Sequence, residues 1–158
     1  MYEPRLHIVL HQPEIPYNTG SVGRTCVAVG AKLWLVRPLG FRLDDYYLRR
    51  AGLDYWEHLV WEAVDDWPSL ASRLPRSPWL FTKTAPTPYT AVAYEPGDVL
   101  VFGSESRGLP PTLLDEHSPR TLRIPIRPEV RSLNLSNSVA IAAYEALRQW
   151  GLPGGEQA

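Results

Sequence analysis

The sequence holds one cysteine, Cys26, so an intrachain disulfide is excluded. A reducing, cytoplasmic setting is expected, with the thiol serving as a small buried hydrophobe. No apolar run approaches the roughly 20 residues that a membrane-spanning helix needs. A signal-peptide pattern is also missing, because Met1-Tyr-Glu-Pro-Arg leads straight into a strand-like segment. Nucleotide fingerprints are lacking: there is neither a G-x-G-x-x-G after the first strand nor a G-x-x-x-x-G-K-[ST]. The four histidines show no zinc-ligand spacing. His7 and His11 would lie roughly 13 Å apart on a strand rising about 3.3 Å per residue, too far to share a metal. A nucleophile elbow is disfavoured too, since Ser104 stands where G-x-S-x-G needs its first glycine. Lysine is scarce as well, with Lys32 and Lys83 against 14 arginines.

What is present suits one soluble α/β domain. The 158 residues, 44% hydrophobic and 21% charged, are expected to form a single domain over residues 1–153 with a short flexible tail at 154–158. Net charge is −1, so the overall field does not advertise a nucleic-acid partner. Locally, Arg120, Arg123, Arg127 and Arg131 are opposed only by Glu129. Arginine's planar fork suits phosphate, and the cluster reads either as an anion-binding edge or as a solvated basic face.

Apolar runs predict strands over residues 6–10, 33–37, 79–82, 99–102 and 122–126, with a weaker one at 58–61. The runs at 79–82 and 99–102 have almost no polar interruption, as in a parallel sheet covered on both faces. Helices are predicted around residues 22–29, 44–51, 65–74, 110–117 and 135–150. Asp65-Asp-Trp-Pro68 marks one start, and Gly151 followed by Pro153 marks the last stop. Alternation of strands and helices makes a doubly wound α/β domain with a mainly parallel sheet the expected fold.

Three segments carry the candidate chemistry. Asn18-Thr-Gly-Ser-Val-Gly-Arg24 opens a helix, with Asn18 or Thr19 as its expected N-cap and Arg24 in its second turn, either as a functional group or as a surface ion-pair arginine. Gly103-Ser-Glu-Ser-Arg-Gly108 follows a buried strand, where α/β folds place ligands, although a tight turn with solvated polar residues fits it equally. The stretch over residues 124–148 runs from an apolar segment through a Pro- and Arg-bearing loop into a helix. Ser132, Asn134, Ser136 and Asn137 crowd that helix start, more polar groups than one cap requires. Leu135, Val139, Ala142 or Ala143 and Leu147 form its apolar stripe, a core face or a dimer seam.

In this order the three segments, with Phe102 and Leu109-Pro110 around the second, resemble the SPOUT superfamily of methyltransferases. More narrowly, Pro13-Glu-Ile-Pro-Tyr-Asn-Thr-Gly20, Arg49-Arg-Ala-Gly-Leu-Asp-Tyr55 and Ser132-Leu-Asn-Leu-Ser-Asn137 resemble the TrmL-type family of tRNA (cytidine/uridine-34-2′-O)-methyltransferases. The resemblance spans residues 6–153. It implies an α/β fold with a C-terminal trefoil knot, against the general rarity of knots. It also implies S-adenosyl-L-methionine as cofactor, tRNA as substrate, a homodimer, and neither a metal nor a membrane partner. By resemblance, Phe81, Thr82, Gly103, Glu105, Ile124, Ser132 and Leu133 hold the cofactor. Arg24, Asn134, Ser136 and Tyr144 lie near the transferred methyl or the target nucleotide. A guanidinium stays protonated at neutral pH and is a poor base there, so anchoring a phosphate and polarising the hydroxyl are the roles expected of Arg24. The rival readings are a 2′-O-methyltransferase for another tRNA or rRNA position and a non-catalytic RNA-binding protein.

Overall fold

A computed structural model describes residues 3–44, 50 and 55–151. Six strands form one parallel sheet: β1 (Leu6–His11), β2 (Ala31–Val36), β3 (Trp61–Val64), β4 (Trp79–Phe81), β5 (Asp98–Phe102) and β6 (Thr121–Leu122). Their order is β3-β2-β1-β5-β4-β6. β1 sits in the middle, pairing Ile8 with Leu33 on one side and with Leu100 on the other. All six residues of β1 and all five of β5 are buried, so both faces are covered and most positions are apolar, His7, His11 and Asp98 being the buried polar exceptions.

The strand period of two divides these runs between two cores. Leu6, Ile8, Leu10, Leu100 and Phe102 face α1 (Pro16–Val29) and α4 (Leu135–Trp150). Val9, Val99 and Val101 face the other side, against Leu70 of α2 (Trp67–Ala71) and Leu113 of α3 (Pro111–Glu116). α4 buries Leu135, Val139, Ala142, Ala143, Ala146 and Leu147, so the expected stripe is a core face. Full burial of a Val or Leu side chain contributes roughly 1.5–3 kcal/mol, and the two layers together hold the sheet. α1 closes at Gly30, whose φ of 75° places it in the left-handed region that glycine tolerates.

Several expected boundaries move. α1 begins at Pro16, so Asn18 and Thr19 are buried within the helix, and Ile15 takes the N-cap position without a side-chain cap. Arg24 therefore falls in the third turn. Pro16, pre-set for the first helical turn, is the local reason. The strand expected at 58–61 is displaced to Trp61–Val64, because Trp56–His58 winds into a 3₁₀ turn. β6 is only two residues long, and residues 123–126 leave the sheet as loop after Arg123 makes a single bridge to Pro88. Asp66 caps α2 by accepting from Ser69 N at 2.9 Å, as its Asp-Trp-Pro signature suggests. Most of the helix expected at 44–51, most of the 49–55 segment, Pro153 and the 154–158 tail lie outside the described residues. Among the described residues no helix is long and apolar enough to cross a membrane.

Candidate functional site

Because every strand runs the same way, the exits of β1, β4, β5 and β6 gather at one edge of the sheet. From β1 the chain turns towards β2 and β3, whereas β5 is flanked on its other side by β4 and β6. That reversal opens a crevice at the carboxyl ends of the strands, the usual ligand position in open α/β sheets. A cavity of about 760 Å³ occupies it.

Its floor is apolar: the rings of Phe81 and Phe102 stack with centroids 4.6 Å apart and planes at 15°. Gly103 follows directly on Phe102. A Cβ there would lie 2.1 Å from the carbonyl carbon of Gly108 and 2.3 Å from the nitrogen of Leu109, so no other residue fits. Gly108 closes this tight hairpin at φ +68°, donating its N–H to the Ser104 carbonyl at 2.9 Å. The hairpin in the sequence thus serves two ends at once: a turn, and a wall without a side chain.

A polar chain crosses the cavity's edge. Asn134, the N-cap of α4, accepts from Ser136 N, Ser136 Oγ and Asn137 N through Oδ1, at 2.9, 2.6 and 3.3 Å. Its Nδ2 donates to Asn18 Oδ1 at 3.0 Å. Asn18 Nδ2 in turn donates to Glu105 Oε2 at 3.2 Å. The Glu105 carboxylate also accepts Glu14 N at 2.7 Å and Ile15 N at 2.9 Å, from the two residues that lead into α1. A carboxylate at a helix N-terminus is favoured by the orphan N–H groups and the dipole.

Phe81, Thr82, Gly103, Glu105, Ile124, Ser132, Leu133 and Asn134 all line the cavity. Ser136 stands behind Asn134, reaching the site through its hydrogen bond; the neighbouring turn places Ser138 on the wall instead. Arg24 and Tyr144 are not among the lining residues. Arg24 is exposed with its guanidinium 4.7 Å from the centroid of the Tyr55 ring, and Tyr144 is exposed on α4. Sequence reasoning missed Asn18 as a site residue by treating it as a cap; Pro16 was the available signal that the helix starts earlier. It also missed Lys83, whose Nζ reaches the Arg131 carbonyl at 3.5 Å, for which the sequence carries no signal.

The arginine cluster splits. Arg120 stacks 3.7 Å from the Trp79 ring centroid and donates to the carbonyls of Pro78 and Ser77, with burial lowering its pKa. Arg123 donates to the carbonyls of Ala85 and Pro86 at 2.7 and 3.1 Å. These two brace loops. Arg127 pairs with Glu129 at 2.7 Å on the surface, and exposed Arg131 lines the cavity with Lys83 and Arg107. Among the described residues no group of three or more His, Cys, Asp or Glu side chains is arranged to hold a metal ion.

Comparison with known proteins places this geometry. The family model for the SpoU rRNA Methylase family matches residues 5–144. A tRNA (cytidine(34)-2′-O)-methyltransferase of Burkholderia pseudomallei is 47% identical over 153 residues, covering 94% of this chain and 98% of that protein. The protein of the same name from Escherichia coli K12 is 44% identical over 151 residues, covering 94% and 96%. A solved structure concerned with the 2-OH methylation of C/U34 on tRNA superposes with a TM-score of 0.87 at 46% identity, covering 92% of this chain and 95% of that one. With the cavity at the β5 exit built from the same segments that its sequence singles out, the chain belongs to the SpoU rRNA methylase family.

Proposed function

We propose that this protein is an S-adenosyl-L-methionine-dependent tRNA methyltransferase acting on the 2′-hydroxyl of the wobble nucleotide, cytidine or modified uridine at position 34. The observation that carries the reading is the 47% identity, over 98% of its length, to a relative named for that reaction. The cavity fits the cofactor in size and character: about 760 Å³, an apolar floor from Phe81 and Phe102, and a glycine wall that leaves backbone groups open. Phe81, Thr82, Gly103, Glu105, Ile124, Ser132 and Leu133 would hold it. When bound, it supplies an electrophilic methyl on a sulfonium.

The chain's own contribution is alignment. A ribose hydroxyl is a weak nucleophile, and positioning can lower such a barrier by several kcal/mol, roughly 7–11 at the limit. Asn134 is held rigid by α4 and Asn18, so the polar face next to the cofactor pocket keeps one arrangement. Ser136 and Tyr144 extend this face along α4. Arg24 anchors a substrate phosphate and polarises the hydroxyl. Lys83, Arg107 and Arg131 on the cavity rim are suited to the flanking phosphates.

A trefoil knot over the C-terminal third and a homodimer belong to the same proposal. The knot is supported by the resemblance of the three segments to the SPOUT superfamily, and the dimer by the position of Arg24 and Tyr144 outside the cavity lining. A cytoplasmic location follows from a tRNA substrate. The test is a deletion strain whose tRNAs are mapped for 2′-O-methylation, complemented by the purified protein with cofactor. Loss of the mark at position 34, restored in vitro, is expected. Retention at 34 with loss at another tRNA or rRNA position overturns the assignment, and an intact pattern with cofactor-free RNA binding points to a non-catalytic protein.

A further inference from the structure

Two loops grip each other at the edge of the cavity. Residues 12–15 leave β1 and residues 103–108 leave β5, and each sends a carboxylate into the other's backbone. Glu105 accepts the N–H groups of Glu14 and Ile15 at 2.7 and 2.9 Å. Glu14 returns the contact: its Oε1 alone accepts Ser106 N at 2.9 Å and Ser106 Oγ at 2.7 Å. These bonds hold the Glu14 carboxyl below its usual range, the Ser106 hydroxyl contributing most. From the opposite side Gly40 N donates to the Pro13 carbonyl at 2.9 Å, and a Cβ on Gly40 would sit 2.7 Å from Glu14 Cα. The approach to α1 is therefore wedged between two loops.

Glu14 is not among the residues lining the cavity, so contact with a cofactor seated there does not explain it. We propose that Glu14 is a positioning residue for methyl transfer: its carboxylate latches the loop 103–108 to the N-terminus of α1, so that the helix bearing Asn18 and Arg24 keeps one orientation relative to the cavity. The reaction it serves is the one inferred above. A latch acts through geometry, and one acceptor oxygen suffices for it.

The full chain is compared with Glu14→Ala and Glu14→Gln in kcat and KM for tRNA, in calorimetric affinity for S-adenosylmethionine, and in hydrogen exchange of the Ser106 amide in the free protein. Glu14→Ala is expected to lower kcat at least tenfold, to change cofactor affinity less than threefold, and to speed Ser106 exchange. Glu14→Gln, whose amide oxygen can accept both bonds, is expected to stay within threefold of wild type in all three. Equal loss in both variants would mean that the charge acts directly, as a base or cation ligand, and overturns the latch. Unchanged kcat and unchanged Ser106 exchange in Glu14→Ala overturn it as well. If wild type fails to methylate position 34, exchange lost in Ala and kept in Gln still supports the latch, and only the activity reading falls.

Discussion

Asn134 and Asn18, 116 residues apart in sequence, share a hydrogen bond of 3.0 Å in which the Asn134 amide donates. The orientation is fixed from both ends, since Asn18 Nδ2 is committed to Glu105 and Asn134 Oδ1 to the first turn of α4. One side chain thus caps a helix and ties two sides of the cavity together. An Asp at position 134 keeps the capping oxygen and loses the donor. Asn134→Asp is expected to melt within a few degrees of wild type while losing more than tenfold in turnover. Asn134→Ala should lose the turnover and also about 1 kcal/mol of stability, as cap removal typically does. Calorimetry alongside methyl-transfer rates checks both.

Gly103 leaves no room for a side chain. Gly103→Ala forces the hairpin away from Gly108 and Leu109, where the added carbon would otherwise sit 2.1–2.3 Å from backbone. A destabilisation of about 1–3 kcal/mol is expected from such overpacking. Because the hairpin walls the cavity, cofactor affinity should fall more than tenfold by isothermal titration, and an unchanged affinity would remove the hairpin from the cofactor site.

The cluster divides into the braces Arg120 and Arg123, the surface-paired Arg127, and Arg131 at the cavity. Arg120→Ala and Arg123→Ala should lower the melting temperature, since their donors satisfy loop carbonyls, and leave the salt dependence of tRNA binding nearly unchanged. Arg131→Ala should instead reduce the slope of log K against log salt by about 1, as one lost phosphate contact does, with stability intact. Binding titrations at several salt concentrations separate the two groups.

Arg24 carries the substrate role in the proposed reaction without touching the cavity lining. Arg24→Ala is expected to abolish most turnover, by about 100-fold or more, while cofactor affinity holds. Sedimentation at micromolar concentration should give a dimer for both forms. Full turnover in the variant, or a monomer in the wild type, would each refute its part of the assignment.

Acid sensitivity should centre on His7. Its Nδ1 accepts the Trp34 indole N–H at 3.0 Å, and burial, aided by Lys32, lowers its pKa from 6.5 to about 4. Between those values the unfolded chain binds a proton that the folded one refuses. Stability from this group is therefore full above pH 6.5 and is lost progressively as pH falls towards 4. His7→Gln retains an acceptor for the indole and does not titrate, so urea midpoints measured from pH 7 to 4 should fall less steeply than in wild type. His11, whose pKa burial also lowers, adds a slope of the same sign.

The sequence by itself determined the sheet and the places where chemistry gathers. Runs such as Ile8–Leu10 in β1 and Val99–Phe102 in β5 are apolar at consecutive positions, and a strand covered on both faces accommodates that. The tight spacing of glycines 103 and 108 and the excess of polar groups at 132–137 were likewise legible, because turns and caps are satisfied by near neighbours. Tertiary structure alone decided which groups face one another. Asn18 lies inside α1, which starts at Pro16, Glu105 binds the Ile15 backbone from 90 residues away, and half of the arginine cluster braces loops instead of facing solvent. Local hydrogen-bond rules reach about one helical turn along the chain; pairings across a sheet edge depend on strand order, and the order β3-β2-β1-β5-β4-β6 is set by packing of the whole chain.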